Sequence, residues 1–474
     1  MNIKRIGIIL IIVLFIFGCK DEEEPEMPLA QSTVLLTVGN SKNLAAMLDA
    51  RFNGKTITWS SSDSTKVTVS ASGIITSNII SFTTAEGGSK KYTEGPARAE
   101  ALVTAKTPDN KTQEFKVIAT TEAQEKIMDL PPLKDRFPPG FLVGNIATGS
   151  SVSGTLSRHF NALTSENGMK PEKISNGRNT STGVINYTWN NADSFVKSAT
   201  DLNIKVIGHT LLWHSQIPQW QKDMANEPNK ATALAAMKTY ITDVVTHFKG
   251  KIYSWDVLNE AFPDGSSGIW KDKIRPENPW YKAIGSDFVY EGFLAARLAD
   301  PDAILYYNDF NTDNSNRANL IRDMVKEVND KYLALSADNK PAEEAAGRLL
   351  IEGIGMQEHH NFGVSAANIR TTLGKFKAIG VKVSVTELDV LAQSWSDYSS
   401  RNAVTNNGLL TQADLYRQYM AVYKDFADII ERITFWGVTD NQSWRSTGLP
   451  LLFDKDGKAK PAYYKFVGAI PTTW

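Results

Sequence analysis

The sequence predicts an α/β chain: a (β/α)8 TIM barrel preceded by a small all-β sandwich. Two observations carry this. Beyond a proline-rich boundary, Leu130-Pro131-Pro132 and Pro138-Pro139-Gly140, eight apolar runs alternate with helical stretches over about 340 residues. Before that boundary, short runs of alternating polar and apolar residues recur roughly every ten residues, separated by Ser, Thr, Asn and Gly clusters.

The order along the chain begins with a targeting segment, residues 1–19. Lys4-Arg5 is basic, Ile8 to Phe17 is an unbroken apolar run, and Gly18-Cys19 follows. A basic start, a 7–15-residue apolar stretch and a small residue describe a secretory signal. The run is short for a spanning helix, which needs about 20 apolar residues. Ile16-Phe17-Gly18-Cys19 resembles a bacterial lipobox, which implies lipidation at Cys19. Cys19 is the only cysteine, so no intramolecular disulfide or multi-cysteine metal site exists. An acidic linker, residues 20–30, contains Lys20-Asp21-Glu22-Glu23-Glu24 and resembles the export tag of bacterial surface lipoproteins. The expected location is extracytoplasmic: a lipid anchor in the outer membrane, exposed at the cell surface.

The sandwich is expected over residues 31–122. Thr56-Ile57-Thr58-Trp59, Lys66-Val67-Thr68-Val69-Ser70 and Phe115-Lys116-Val117-Ile118-Ala119 supply strands. The stretch 57–76, with Trp59-Ser60-Ser61-Ser62-Asp63 and Ser72-Gly73-Ile74-Ile75, resembles bacterial immunoglobulin-like modules. It holds no carboxylate pair or aromatic row, so it reads as a spacer, with glycan binding as the other use.

The barrel is expected over residues 130–474, with strands at 141–146, 161–166, 205–213, 254–260, 303–309, 349–357, 382–389 and 432–440. Most are Val/Ile/Leu-rich without strict alternation, as fully buried parallel strands are. Helices are expected at 231–248, 315–333 and 411–426.

Composition narrows the function. Lys+Arg 51 nearly balances Asp+Glu 52 over 474 residues, which argues against nucleic acid as the partner. The six histidines form no His-x-x-x-His or His-Glu-x-x-His pattern, which disfavours a metal hydrolase. Eleven Trp, 15 Tyr and 20 Phe fit either a large core or sugar-stacking platforms.

In a barrel of this kind, catalytic groups gather at the C-terminal ends of the strands. Here those ends are polar: Glu166-Asn167, then His209 with Trp213, His214 and Gln216, then Asn259-Glu260, Asn308-Asp309, Gln357-Glu358-His359, Glu387 with Asp389, and Trp436 with Asp440 and Trp444. Glu260 ends the fourth strand and Glu387 the seventh, across the mouth from each other. Hydrolysis of a glycosidic bond needs one protonated and one ionised carboxyl. At roughly 5–5.5 Å separation the second attacks the sugar directly and configuration is retained.

The domain from residue 130 onward resembles glycoside hydrolase family 10, the endo-β-1,4-xylanases, through seven segments in order. These are Thr164–Lys170, Gly208–Gln216, Trp255–Glu260, Leu305–Asn311, Gly353–Gln357, Thr386–Asp389 and Trp436–Asp440 before Ser443-Trp444-Arg445. The resemblance implies an endo-1,4-β-xylanase with a retaining double-displacement mechanism. Glu260 would be the acid/base, its proton held by burial and by the ionised Glu387, the nucleophile. Asn259 would hydrogen-bond the sugar 2-hydroxyl or the nucleophile, and His359 would hold Glu387 with Asp389 orienting the imidazole. Glu166, Asn167 and Lys170 would bind the distal glycone sugar. His209, Trp213, Gln216 and Gln357 would wall the cleaved sugar, with Trp436 and Trp444 as floor and lid. These two tryptophans are also the candidates for excluding the hydroxymethyl arm of glucose. Trp255 and Asp256 are expected to be structural support. The implied partner is xylan or a xylo-oligosaccharide, the chain acting as a monomer without cofactor.

Departures from the family pattern are Pro171, Leu258, Phe310, a long 330–348 stretch, Glu358 and His360. Pro171, Glu358 and His360 are expected to bear on subsite preference. The other readings are a retaining glycanase of the same fold acting on mixed-linkage β-glucan, and a glycan-capturing lipoprotein without catalysis. The latter would lack Glu260 or Glu387, and both are present.

Overall fold

A computed structural model describes residues 29, 31–78, 82–84, 90–92, 98–122, 124–342 and 344–470. The signal segment, Cys19 and the acidic run lie outside the described residues.

The N-terminal region is built from strands β1 (Ser32–Thr37), β2 (Ser41–Asn43), β3 (Thr58–Ser61), β4 (Val67–Val69), β5 (Ile74–Ser77), β6 (Phe82–Thr84), β7 (Lys90–Tyr92), β8 (Arg98–Lys106) and β9 (Thr112–Thr120). One sheet has the order β1-β9-β8-β3 and a second the order β2-β5-β4, with β6 and β7 paired as a hairpin. Strands β8 and β9 alternate exposed and buried positions, so their inward residues Ala101, Val103, Phe115 and Val117 form one apolar face. Val67 and Ile75 of the second sheet join the same cluster, which makes it the core between two sheets.

The barrel strands are β10 (Leu142–Ala147), β11 (Ala162–Ser165), β14 (Lys205–Leu212), β15 (Ser254–Asn259), β16 (Ile304–Asp309), β17 (Gly353–Met356), β19 (Lys382–Val390) and β20 (Ile430–Phe435). A small hairpin, β12 (Ser175–Arg178) with β13 (Ile185–Tyr187), interrupts the second βα unit, and β18 (His359–His360) flanks β19. Each barrel strand pairs in parallel with the next, and β20 pairs with β10, so the ring closes. Closure leaves no sheet edge and places all strand C-termini at one mouth. The predicted strand positions match to within a few residues. The predicted helices appear as Lys230–His247, Ser315–Leu333 and Asn406–Asp425, capped by Asn229, Asn314 and Thr405 side chains.

One position shows how tightly the ring is packed. A Cβ on Gly208 of β14 would lie 2.1 Å from the Trp255 ring of β15, so only glycine fits beneath that fully buried indole. Trp255 is therefore packing, as expected.

The two regions touch through a defined contact. Leu410, on helix Asn406–Asp425, inserts into the N-terminal core cluster. Glu125 gathers the linker around it: Asn40 Nδ2 and Tyr464 Oη donate to its Oε2 at 2.9 and 2.6 Å, and Ala459 N donates to its carbonyl at 2.8 Å.

Candidate active site

At the barrel mouth lies a cleft of about 740 Å³. Its lining includes Glu166, Asn167, Lys170, His209, Trp213, Gln216, Asn259, Glu260, Gln357, His359, Glu387, Trp436 and Trp444. The residues expected to catalyse or to bind substrate are thus brought together there, with Asp389 lying just beneath.

Glu387 sits near the end of β19, almost fully buried. Asn308 Nδ2 donates to its Oε1 at 2.9 Å, and His359 Nε2 lies 3.1 Å from its Oε2. Burial alone would raise its pKa. The hydrogen bond and charge of His359, the charge of His209 and the Asn308 amide outweigh that and hold the carboxyl below its ordinary value. Glu387 is a carboxylate at neutral pH.

His359 is held from below. Its Nδ1 lies 3.0 Å from Asp389 Oδ2, and Arg445 Nη1 and Trp444 Nε1 donate to the two Asp389 oxygens at 2.6 and 3.1 Å. Burial disfavours the imidazolium, yet the Asp389 charge and hydrogen bond, with Glu387 on the other side, push its pKa up to about 9. Asp389 is fully buried, and the charges of His359 and Arg445 keep it ionised below its ordinary pKa. The run Arg445, Asp389, His359, Glu387 alternates in charge, which is how three buried ionic groups and one half-buried imidazolium coexist.

Glu260 follows β15 in the left-handed region at φ 54°, a conformation uncommon for a non-glycine residue. Its backbone is clamped: Glu260 N donates to Asn308 O at 2.9 Å, Arg275 Nε donates to Glu260 O at 2.9 Å, and Ala261 N donates to Tyr307 Oη at 3.0 Å. Its carboxyl is fixed by Trp213 Nε1 on Oε2 and Gln357 Nε2 on Oε1, both at 2.9 Å. Amides join the two glutamates. Asn259 Oδ1 accepts from Asn308 Nδ2 at 3.0 Å and from Gln357 Nε2 at 3.3 Å. Thr386 Oγ1 donates to Asn308 Oδ1 at 2.6 Å and fixes that amide.

The remaining lining divides by chemistry. Lys170 Nζ donates to Asn167 Oδ1 at 2.9 Å and Gln216 Oε1 at 2.7 Å, beside Glu166. Burial lowers the Lys170 pKa against the attraction of Glu387, Glu166 and Glu260, and burial raises that of Glu166. His209 Nδ1 lies 2.9 Å from Asp256 Oδ2, so Asp256 supports a cleft residue, as expected of it. Trp436 stands edge-on to His209 and His359, with centroids 5.6 and 6.4 Å apart, and Trp444 edge-on to His359 at 5.1 Å.

Glu358 and His360, two of the departures from the family pattern, do not line the cleft. Both are buried, with His360 Nε2 2.7 Å from Glu358 Oε2 while Tyr423 Oη and Thr312 Oγ1 donate to the same carboxylate. Pro171 is likewise buried, at the start of helix Pro171–Ile174, where its missing N–H is harmless. Residues 357–361 alternate in direction: Gln357, His359 and Asn361 line the cleft while Glu358 and His360 turn away. That period of two was the signal available in the sequence. Sequence reasoning also left Asn308 and Arg445 without roles, and passed over Asn361, which that alternation marks, and Trp395, which lies in a loop without periodicity.

The sequence model described as glycosyl hydrolase family 10 matches residues 134–469. A crystal structure of a bacterial Ig-like domain containing GH10 xylanase from termite gut is similar with TM-score 0.83 and 47 % identity, covering 92 % of this chain and 98 % of that one. Endo-1,4-beta-xylanase A of Thermotoga maritima is 34 % identical over 383 residues, 76 % of this chain and 33 % of that protein. Endo-1,4-beta-xylanase of Geobacillus stearothermophilus is 33 % identical over 356 residues, 71 % of this chain and 98 % of that protein. The chain spans about a third of the length of the first curated relatives it matches.

Proposed function

The chain belongs to glycosyl hydrolase family 10, and from that membership we propose that it is an endo-1,4-β-xylanase that hydrolyses internal bonds of xylan with retention of configuration. The carrying observation is the pair Glu260, just after β15, and Glu387, on β19, facing one cleft and linked by the amides of Gln357, Asn259 and Asn308.

In this reading Glu387 attacks the anomeric carbon. His359 and Asn308 keep it ionised and aimed. Glu260 gives its proton to the departing glycosidic oxygen, then takes a proton from the water that cleaves the glycosyl ester. Trp213 and Gln357 hold its carboxyl in place across both steps. The Asn259 amide, fixed between Asn308 and Gln357, is placed for the sugar 2-hydroxyl. Glu166, Asn167, Lys170 and Gln216 bind hydroxyls at the distal glycone end, and His209 walls the cleaved sugar. Trp436 and Trp444 take the ring faces and fill the space that a hydroxymethyl group needs.

The N-terminal sheets are proposed as an immunoglobulin-like module. Their strand order, and a similar solved protein that is described as carrying such a domain, support this. Residues 1–19 support lipidation at Cys19 and an extracytoplasmic, outer-membrane, surface-exposed location.

The test is reducing-end release from β-1,4-xylan and from mixed-linkage β-glucan by the form beginning after Cys19, with Glu387→Ala alongside. Release from xylan, lost in the variant, is expected. Release mainly from glucan would move the substrate, and xylan retention without cleavage would make this a binding protein.

A further inference from the structure

The cleft carries one large aromatic that no strand-end motif supplies. Trp395 opens the short helix Trp395–Ser399 in the loop after β19, lines the cleft, and is still 55 % exposed. So much apolar ring left in water is unfavourable unless something covers it in use.

The ring is exposed on a firmly built loop. Ser394 Oγ caps the helix by accepting from Asp397 N at 3.1 Å, and Asn402 Nδ2 donates to Asp397 Oδ1 at 2.9 Å. Ala392 N donates to Gly448 O at 2.8 Å and Val390 N to Pro450 O at 3.0 Å, which ties the loop to the segment after β20. Tyr398 backs Trp395 with ring centroids 5.6 Å apart. The Arg445 guanidinium lies 5.9 Å from the Trp395 centroid, 5.7 Å from Tyr398 and 5.6 Å from Trp444. The same Arg445 holds Asp389, so the platform is braced against the group that orients His359.

Position in the ring gives the direction. Around the closed barrel β11 stands opposite β17, and β14 opposite β19. Glu166 to Lys170 and Gln216 follow β11 and β14; Asn361 and Trp395 follow β17 and β19. The two groups therefore occupy opposite ends of the cleft.

Resting on the xylanase reading above, we infer that Trp395 is a specificity-determining residue on the leaving-group side. It stacks the face of a further β-1,4-linked pyranose unit of the polysaccharide backbone, with the Asn361 amide at the same end for its hydroxyls. Flat apolar sugar faces suit an indole held in this way.

The test compares kcat/KM on linear xylohexaose with that on 4-nitrophenyl β-xylobioside, whose leaving group carries no sugar, for the unaltered chain, Trp395→Ala and Trp395→Phe. The ratio of the two values is expected to fall about tenfold in Trp395→Ala, mostly through KM, and to recover largely in Trp395→Phe. Equal losses on both substrates would mean a structural role and overturn the inference. An unchanged ratio with normal cleavage by the unaltered chain would overturn it alone. No cleavage of xylohexaose by the unaltered chain would overturn it together with the xylanase reading.

Discussion

The barrel mouth and the N-terminal sheets treat charge in opposite ways. Glu387, Asp389, Asp309, Arg317, Arg445 and Lys460 are each at most 5 % exposed. Among the described residues of the sheets, every ion pair leaves both partners at least 32 % exposed. A buried charge is tolerated only when several partners fix it, and those partners then fix its geometry and protonation. The mouth is therefore a place where single substitutions propagate. The sheets are held by an apolar core and its contact with the barrel, and their charges act mainly with water. Predictions follow from that contrast, and each can break it.

The largest effect is expected at Glu387. On the proposed mechanism Glu387→Ala removes the attacking group, so turnover of xylan should fall by about 10⁴-fold or more, with secondary structure retained by circular dichroism. Residual activity within tenfold of the unaltered chain would remove the mechanism.

Next comes Asp389, which is fully buried and does not line the cleft. Asp389→Asn leaves His359 and Arg445 without their shared counter-charge, a loss of roughly 3–5 kcal/mol for one partner of a buried network. The pH dependence has a defined sign. The His359 pKa is raised to about 9, so its contribution to stability is full below its ordinary value of about 6.5 and is lost as pH rises through about 9. The pKa values of Asp389 and Glu387 are lowered, so their contributions are full above the ordinary carboxylate range and are lost as pH falls. Melting temperature should peak between about pH 5 and 6.5. In Asp389→Asn the decline toward pH 9 should flatten, because the imidazole loses its principal partner. A melting curve series from pH 3 to 10 reads this directly, and an unchanged alkaline decline would show that His359 is not its source.

The contact between the regions ranks third. Leu410→Ala cuts the apolar plug that joins helix Asn406–Asp425 to the N-terminal core. The loss should be about 2–4 kcal/mol by analogy with other buried leucines. Calorimetry should resolve two transitions where the unaltered chain gives one, with xylan cleavage kept at low temperature. A single transition at the original temperature would mean that Leu410 is not what couples the two regions.

The same contrast decides what could be read from sequence. Parallel barrel strands are buried on both faces, so they stand out as apolar runs, and the acids and amides that follow them mark the mouth. Glu260, Glu387 and their neighbours were legible for that reason. Glu358 and His360 turn away from the cleft because side chains at a strand end still alternate, so Gln357, His359 and Asn361 face it instead. Asn308 was visible as a strand end, but its role depends on Thr386 and Glu387 from another strand, a contact that exists only after folding. Trp395 lies in an aperiodic loop. Leu410 sits on a helix whose apolar residues read as ordinary barrel packing, and nothing local says that one of them belongs to another core.

The smallest effect is expected among the exposed pairs. Lys55 Nζ lies 2.8 Å from Asp109 Oδ2, and the Lys55 and Thr107 hydrogen bonds hold the Asp109 pKa down to about 2. By linkage that would add stability above the ordinary carboxylate range and remove it as pH falls toward about 2. Both side chains are open to solvent, however, and at physiological salt the Debye length of about 8 Å screens such a pair, while ordering a lysine opposes what attraction remains. Lys55→Ala should therefore leave the denaturation midpoint of the full chain unchanged at 0.15 M salt, with any difference appearing only at low ionic strength. A drop comparable to that of Leu410→Ala would mean that charge also organises the sheets, and the contrast between the two regions would fail where it is drawn most sharply.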